Sequence, residues 1–397
     1  MREALRAAAG WFHSDAFSNT LLPKELRTGN RDPWLVTATF GLVIFGLAMV
    51  FSSTSANLPG RPSALVEKQA IKILLGICAF ALGLRIDYHH WGRWAPGYFL
   101  LGLALLALVF VPGVGHQAGH AKRWIYLFGF TFQPSDLARL GLVVYLAHLL
   151  SKPRSRLERF TTGILPCLVV FGAMGVLLYK QPDLSTAVAF LAITGLMLVA
   201  GRIPWRHLAL AVLPLAPLAA LKLRGYQVGR IRDWVDYWAR GGGILEGNYQ
   251  LDQSILAIGS GGLVGRGLGE SRQKWLFLPD AHTDFIYAIV GEELGLMGAA
   301  LLLTLFGLLL GRAFEASRRA PDRFGTLLAA GIGASIAVYG GVHMMVATGL
   351  IPTTGLPLPL ISYGGTAVMA TLFSLGILGN VAVQGDSKLL AGIGEHE

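Results

Sequence analysis

Arg123, Asp136, Arg139, Lys180, Asp183, His282 and Asp284 are ionisable residues set beside long apolar stretches, where a charge is costly unless it is paired, solvated or used. Their types suit two kinds of work: a carboxylate or imidazole moves a proton, and a guanidinium or ammonium neutralises an anion. Asp284 follows Leu278-Pro279-Asp280-Ala281-His282-Thr283 and immediately precedes an apolar run. A carboxylate there serves as a helix N-cap or, half withdrawn from water, as a base of raised pKa, and the two roles are compatible. Asp136 and Arg139 stand three residues apart, the spacing of an ion pair along one helix face. Glu292 and Glu293 lie two turns beyond Asp284, and spacing does not say which of them faces inward.

Other chemistries find no support in the pattern. No metal-ligand cluster has a telling spacing, no nucleophile is paired with a base, and the glycines of Gly259–Gly269 follow no strand, which removes a nucleotide-binding reading. A divalent cation such as Mg or Mn has room beside Asp136 or Asp183, though no ligand spacing specifies one. Cys78 and Cys167 both fall in apolar stretches, so no structural disulfide is expected.

The elements that must position these residues are membrane helices. Of 397 residues, 53% are hydrophobic and 14% charged, against about 25% charged in a soluble domain, so lipid is the implied solvent. Stretches without Asp, Glu, Lys, Arg or His run from Pro33 to Gly60, Phe160 to Tyr179, Leu294 to Gly311 and Phe324 to Val342, each near or above the length that spans a bilayer. They lack period-2 alternation, which selects helices over a barrel. Spans are expected at about 34–52, 68–85, 95–113, 135–151, 161–180, 184–201, 204–222, 284–312, 324–350 and 365–385, giving an all-α integral membrane protein with about ten transmembrane helices. Lys72, Arg139 and Lys222 flank shorter apolar runs, where a long side chain reaches the interface.

Basic residues gather in alternate loops: Arg85 and Arg93, then Lys152 to Arg159, Arg202 and Arg206, and Arg312 to Arg323. By the positive-inside rule these loops, a tail of residues 1–32 and a tail of residues 386–397 are cytoplasmic. The candidate residues then share the outer side. A long outer segment, 223–283, carries Arg224, Arg230, Arg232, Arg240, Arg266, Arg272 and Lys274. It is either a solvated loop or a basic surface for an anionic headgroup, and Tyr226, Trp234, Tyr237 and Trp238 suit the membrane interface. The net charge of +10 is explained by topology and anionic lipid, without nucleic acid.

Five separated motifs carry a family likeness. Arg123-Trp124-Ile125 with Gln133-Pro134-Ser135-Asp136, then Gln181-Pro182-Asp183-Leu184-Ser185-Thr186, Tyr249-Gln250-Leu251 with Gln253-Ser254, Gly259 through Gly295, and Pro352 to Gly365 resemble the SEDS family of bacterial cell-wall polymerases. The likeness covers about residues 33–385. Ser271-Arg272-Gln273-Lys274 ahead of Leu278-Pro279, and Pro359 to Gly365, are closer to the division-type members than to the elongation-type ones. Two departures stand out: Asp136 and Arg139 replace the family's glutamate and lysine, and His343 stands where an asparagine is usual.

The resemblance implies a GT-C-like fold and an inverting glycosyl transfer outside the cytoplasmic membrane at the division septum. Lipid II would join a lipid-linked glycan strand through a β-1,4 bond, releasing undecaprenyl pyrophosphate. It assigns the catalytic role to Asp284 and maps the family's arginine and carboxylate onto Arg123 and Asp183; Arg139, Asp136, Lys274 and His282 are the further candidates for binding substrate and pyrophosphate. A class B penicillin-binding protein and other divisome proteins are the implied partners. An elongation-type polymerase and a lipid-linked precursor flippase or transporter are the alternatives; composition alone favours a transporter, which calls for polar residues at the midplane.

Overall fold

The computed structural model describes residues 32–54, 63–118, 121–127, 130–212, 225–241, 249–275 and 277–394. The first part is helical: α1 (Pro33–Thr54), α2 (Ser63–Arg85), the short α3 (Tyr88–Arg93) and α4 (Ala95–Leu108). A small sheet follows, made of β1 (Gly115–Ala118), β2 (Ala121–Leu127) and β3 (Phe130–Phe132). Next come α5 (Pro134–Leu150), α6 (Arg154–Leu157), α7 (Ile164–Lys180), α8 (Leu184–Ala200) and α9 (Trp205–Val212). The chain ends with α10 (Gly225–Ala239), α11 (Tyr249–Gly261), α12 (Ile286–Arg319), α13 (Arg323–Ala347) and α14 (Gly365–Gly394).

Nine of the ten expected spans coincide with one of these helices, and the seventh, 204–222, lies outside the described residues beyond Val212. The expected tail 1–32 is described only at Asp32. Three features differ from the sequence reading. A three-stranded antiparallel sheet stands between α4 and α5, two helices occupy the long segment expected as a loop, and α14 runs on to Gly394 past the expected boundary at 385. The strands are three to seven residues long, too short for alternation to stand out from the surrounding apolar sequence.

The bundle is apolar outside and polar at chosen points inside. Ile44, Leu74, Leu100, Val199, Leu301 and Phe314 are exposed, whereas Thr39, Ser52, Glu292, Glu293 and Asn380 are buried. That is the reverse of a water-soluble bundle and fits a hydrocarbon surround. Helices 33–54, 286–319, 323–347 and 365–386 are long and apolar enough to cross a membrane, and 95–108, 164–180 and 184–200 are shorter apolar helices. Small residues let the helices pack backbone to backbone, as lipid-embedded helices do. On α2 a Cβ at Gly83 would stand 2.7 Å from the Phe373 carbonyl of α14.

α12 is broken at Gly295, whose φ of 61° and ψ of −158° interrupt the helix. The backbone groups freed by the break are met by the 262–267 loop. Arg266 and Gly267 amides donate to the Glu292 and Glu293 carbonyls at 3.0 Å, and the Leu296 and Met297 amides donate to Gly262 and Leu263 at 2.9 and 3.1 Å. Lipid offers no substitute partner, so this loop is what permits a break at membrane depth.

Candidate active site

The sheet aims Arg123 into the bundle. His116 pairs with Trp124 and Gln117 with Lys122, which leaves Arg123 as the extra residue of a bulge on β2. A bulge turns its residue out of the regular alternation. Arg123 Nη1 lies 3.5 Å from Oδ1 of Asp183. Asp183 is the N-cap of α8, its carboxylate accepting from the Thr186 amide at 3.3 Å, while its Oδ2 and the Arg123 Nε are buried without a hydrogen-bond partner among the described residues. The pair therefore retains one acceptor and one donor for a ligand.

Asp284 stands on the turn Asp280–Asp284, closed by its own amide donating to the Asp280 carbonyl at 2.9 Å. Phe285, not Asp284, is the N-cap of α12 and makes no side-chain cap bond, so the capping role expected of Asp284 is not realised. Its carboxylate stays available for chemistry. A Cβ on Gly355 would lie 3.4 Å from Asp284 Oδ2 and 3.9 Å from Arg123 Nη2, so the missing side chain leaves a shared space beside both groups. Burial and the Asp280 carboxylate push the Asp284 pKa up to about 6, against the opposing pull of Arg123, the Thr283 hydroxyl and Arg230. A carboxyl poised there is a usable base near neutrality. Arg230, on α10, reaches the same neighbourhood and donates to the Thr353 carbonyl at 3.3 Å.

Asp136 and Arg139, both buried on α5, form no direct ion pair within 4.0 Å. Asp136 Oδ2 accepts from Thr366 Oγ1 at 2.7 Å; Arg139 donates to Thr371 at 3.2 Å and stacks 4.2 Å from the centre of the Tyr339 ring. Asp136 is an electrostatic neighbour of both Arg139 and Asp183, which joins this pair to the Arg123 pair. His282 approaches from the other side: its carbonyl accepts from the Tyr363 amide at 2.9 Å and its ring lies 5.6 Å from the Tyr363 ring. Burial lowers the His282 pKa from its ordinary value, with Asp280 acting the other way. Ser362 Oγ donates to the Thr283 carbonyl at 2.7 Å, so the 351–364 loop is fastened to the turn that carries Asp284.

Lys274 falls in a different group. It is buried and lies 3.4 Å from Glu293 Oε1, while Glu292 and Glu293 together hold the backbone amides of Ser271, Arg272 and Gln273 at 3.0 to 3.3 Å. Both glutamates face inward. Their contacts organise the loop around the α12 break, and the described contacts of Lys274 do not reach Asp284. Lys180 is exposed at the end of α7. Gly355 and the buried Lys72 were not marked by the sequence as site residues. A glycine advertises no chemistry, and Lys72 reads as an interface-seeking flank.

Among the described residues, no group of three His, Cys, Asp or Glu side chains forms a ready metal site. A magnesium-like ion usually takes one or two carboxylates together with substrate phosphates. Asp183 Oδ2 is the open ligand atom of that kind, with Asp136 as its carboxylate neighbour.

An apolar helical exterior enclosing carboxylates and guanidinium groups at the starts of α5, α8 and α12 defines a multi-pass membrane protein with an acid–base and anion-binding centre. The chain belongs to the FtsW/RodA/SpoVE family of cell cycle proteins, whose pattern matches residues 33–387. "Probable peptidoglycan glycosyltransferase FtsW" of Geobacter metallireducens is 40% identical over 348 residues, 86% of this chain and 92% of that protein. Stage V sporulation protein E of Bacillus subtilis is 36% identical over 88% of this chain and 96% of its own length. Among solved structures, a chain from work described as "Structural coordination of polymerization and crosslinking by a peptidoglycan synthase complex" matches with a TM-score of 0.74 at 30% identity, covering 89% of this chain and 98% of that one. RodA of Thermus thermophilus matches with a TM-score of 0.66 at 30% identity, covering 89% and 97%.

Proposed function

We infer that the chain is a peptidoglycan glycosyltransferase of the division type, which polymerises lipid II into β-1,4-linked glycan strands and releases undecaprenyl pyrophosphate. The relatives named as FtsW glycosyltransferases over most of the chain support the activity. The observation that carries the mechanism is a carboxyl with a pKa raised to about 6 beside the Arg123 guanidinium, over the bare Gly355.

Asp284 is the base. As the acceptor sugar hydroxyl attacks the donor's anomeric carbon, its proton passes to Asp284, a carbon–oxygen bond forms on one face, and the bond to the diphosphate breaks on the other. The single displacement inverts the anomeric centre. Proton transfer of this kind supplies about 10²–10⁴-fold, and the remainder comes from alignment of two anchored substrates and stabilisation of the leaving diphosphate. Arg123 and Arg139 are assigned to that charge, with Asp183 beside Arg123, and Thr371 and Tyr339 holding Arg139. A divalent cation held by Asp183 Oδ2, Asp136 and the diphosphate would neutralise further negative charge. The site is assigned to the extracytoplasmic face at the septum, with both termini cytoplasmic and a class B penicillin-binding protein and further divisome proteins as partners.

The test is synthesis of glycan from labelled lipid II by the purified chain with its penicillin-binding partner. Asp284→Asn and Asp284→Ala are expected to fold and make no glycan; ladders of normal length from either would refute the assignment. The broken α12 is a structural feature that favours a flippase or transporter, since discontinuous helices line many transport sites. The 262–267 loop takes up the Glu292 and Glu293 carbonyls and the Leu296 and Met297 amides at that break, so these groups are not directed to a substrate. A flippase would move lipid II across vesicles while giving no glycan ladder.

A further inference from the structure

Lys72 is a buried cation with no anion beside it among the described residues. It lies on α2 at 4% exposure, 3.4 Å from the Tyr363 hydroxyl and 4.5 Å from the centre of its ring. No carboxylate of the described residues comes within 4.0 Å of it. Lys274, also deeply buried, has Glu293. An ammonium withdrawn from water without a counter-charge is costly, so an ordinary structural lysine would be paired or would reach the surface. Lys68, one turn earlier on the same face, is exposed and is an electrostatic neighbour of Lys72.

The surroundings of Lys72 join the candidate site. Tyr363 is held to His282 by backbone and ring contacts, and His282 Nδ1 is buried without a partner among the described residues. A Cβ on Gly365 would lie 3.4 Å from Lys72 Nζ, and the next residue, Thr366, binds Asp136. The 362–366 segment therefore touches Lys72 and His282 at Tyr363 and Asp136 at Thr366. The proposed reaction brings together two lipid-linked diphosphates, which repel one another and need separate cations.

We propose that Lys72, with Lys68 outside it, forms a second diphosphate-binding position, which holds one of the two lipid-linked substrates while Arg123 and Arg139 hold the other. This assignment rests on the glycosyltransferase reading. Lys72 is a binding residue here and takes no part in proton transfer.

The experiment measures binding of undecaprenyl pyrophosphate to the full chain in phosphatidylcholine nanodiscs, for the wild type, Lys72→Met and Lys72→Arg. Lys72→Met is expected to lose roughly 10- to 100-fold in affinity, the range of a charge-assisted contact, and Lys72→Arg to retain most of it. Undecaprenol, which lacks phosphate, is expected to bind all three alike. On lipid II, Lys72→Met is expected to raise KM with kcat nearly unchanged. Unaltered diphosphate affinity in Lys72→Met overturns the proposal, and so does an equal loss toward undecaprenol, which would mark a packing role. Added phosphatidylglycerol that erases the difference between wild type and Lys72→Met also overturns it, by assigning the anion to bulk lipid. Should Lys72→Met fail to fold, Lys72→Gln is read in the same assay. If the wild type makes no glycan, the enzymatic reading fails, while the binding comparison still decides the role of Lys72.

Discussion

The Asp284 carboxylate and the Arg123 guanidinium share the space beside the bare Cα of Gly355, each within 4 Å of the point where a Cβ would stand. The two residues arrive there by different means, Arg123 from a bulge on a strand and Asp284 from the turn before α12. Arg123 stabilises the ionised form of Asp284, and Asp280 opposes it.

That opposition fixes the pH dependence. A base works only when deprotonated, so glycan synthesis should fall as pH drops through about 6. Arg123→Gln removes a cation that lowers the Asp284 pKa and should move this acid limb to higher pH. Asp280→Asn removes a like charge and should move it to lower pH. Initial rates from pH 5 to 8 for the three proteins check the prediction; limbs that shift in the same direction would contradict it.

The same raised pKa has a cost in stability. A carboxyl whose folded-state pKa lies above its unfolded value favours folding fully at pH below 3.8, and that contribution is lost as pH rises through about 6. Asp284→Asn removes the penalty for ionisation. It should therefore be more stable than wild type at pH 7.5, by about 1–2 kcal/mol once solvent screening of a half-buried group is allowed for, and no more stable at pH 4. Thermal unfolding in detergent at the two pH values reads this directly, and a pH-independent difference would count against it.

Gly355 should tolerate a methyl group structurally and resist it functionally. The added Cβ of Gly355→Ala meets Asp284 at 3.4 Å and Arg123 at 3.9 Å, ordinary contact distances. The fold should therefore hold, while the methyl takes volume the acceptor hydroxyl needs. Misplacement of reacting atoms by about 1 Å costs on the order of 10²-fold, so Gly355→Ala should lower kcat/KM by about tenfold and Gly355→Val by much more. Unchanged kinetics in Gly355→Val would place the acceptor elsewhere.

The spans were readable because charge-free stretches in a lipid-solvated chain leave few alternatives, and the candidate charges were readable because each is expensive at its depth. Their partners were not. The direction of Arg123 depends on a one-residue bulge in a sheet too short to show a period. Asp136 and Arg139 have an ion-pair spacing, yet they are satisfied separately by Thr366 and Thr371, more than 220 positions away in the chain. Lys274 looked like a headgroup contact because its neighbours in sequence are basic, whereas folding brings it to Glu293. The inward turn of both Glu292 and Glu293 depends on the loop that wraps the helix break, which no helical wheel contains.

That break supplies the sharpest structural test. Gly295 has φ 61°, a conformation that only glycine adopts readily, and its Cβ would collide with the backbone of Leu263 at 2.7 Å and with the Gly265 amide nitrogen. No side chain at the contact is free to move aside, because the opposing atoms are main chain. Gly295→Ala must then either straighten α12 or push the 262–267 loop away, and each course strands amides and carbonyls that lipid cannot serve. The loss should exceed about 2 kcal/mol and appear as a marked fall in the thermal midpoint and in the yield of folded protein. Gly307→Ala, in the same helix with nothing within 4 Å of its Cβ position, is the control and should be neutral or slightly stabilising. Equal stability of the two variants would mean that the loop does not clamp the break.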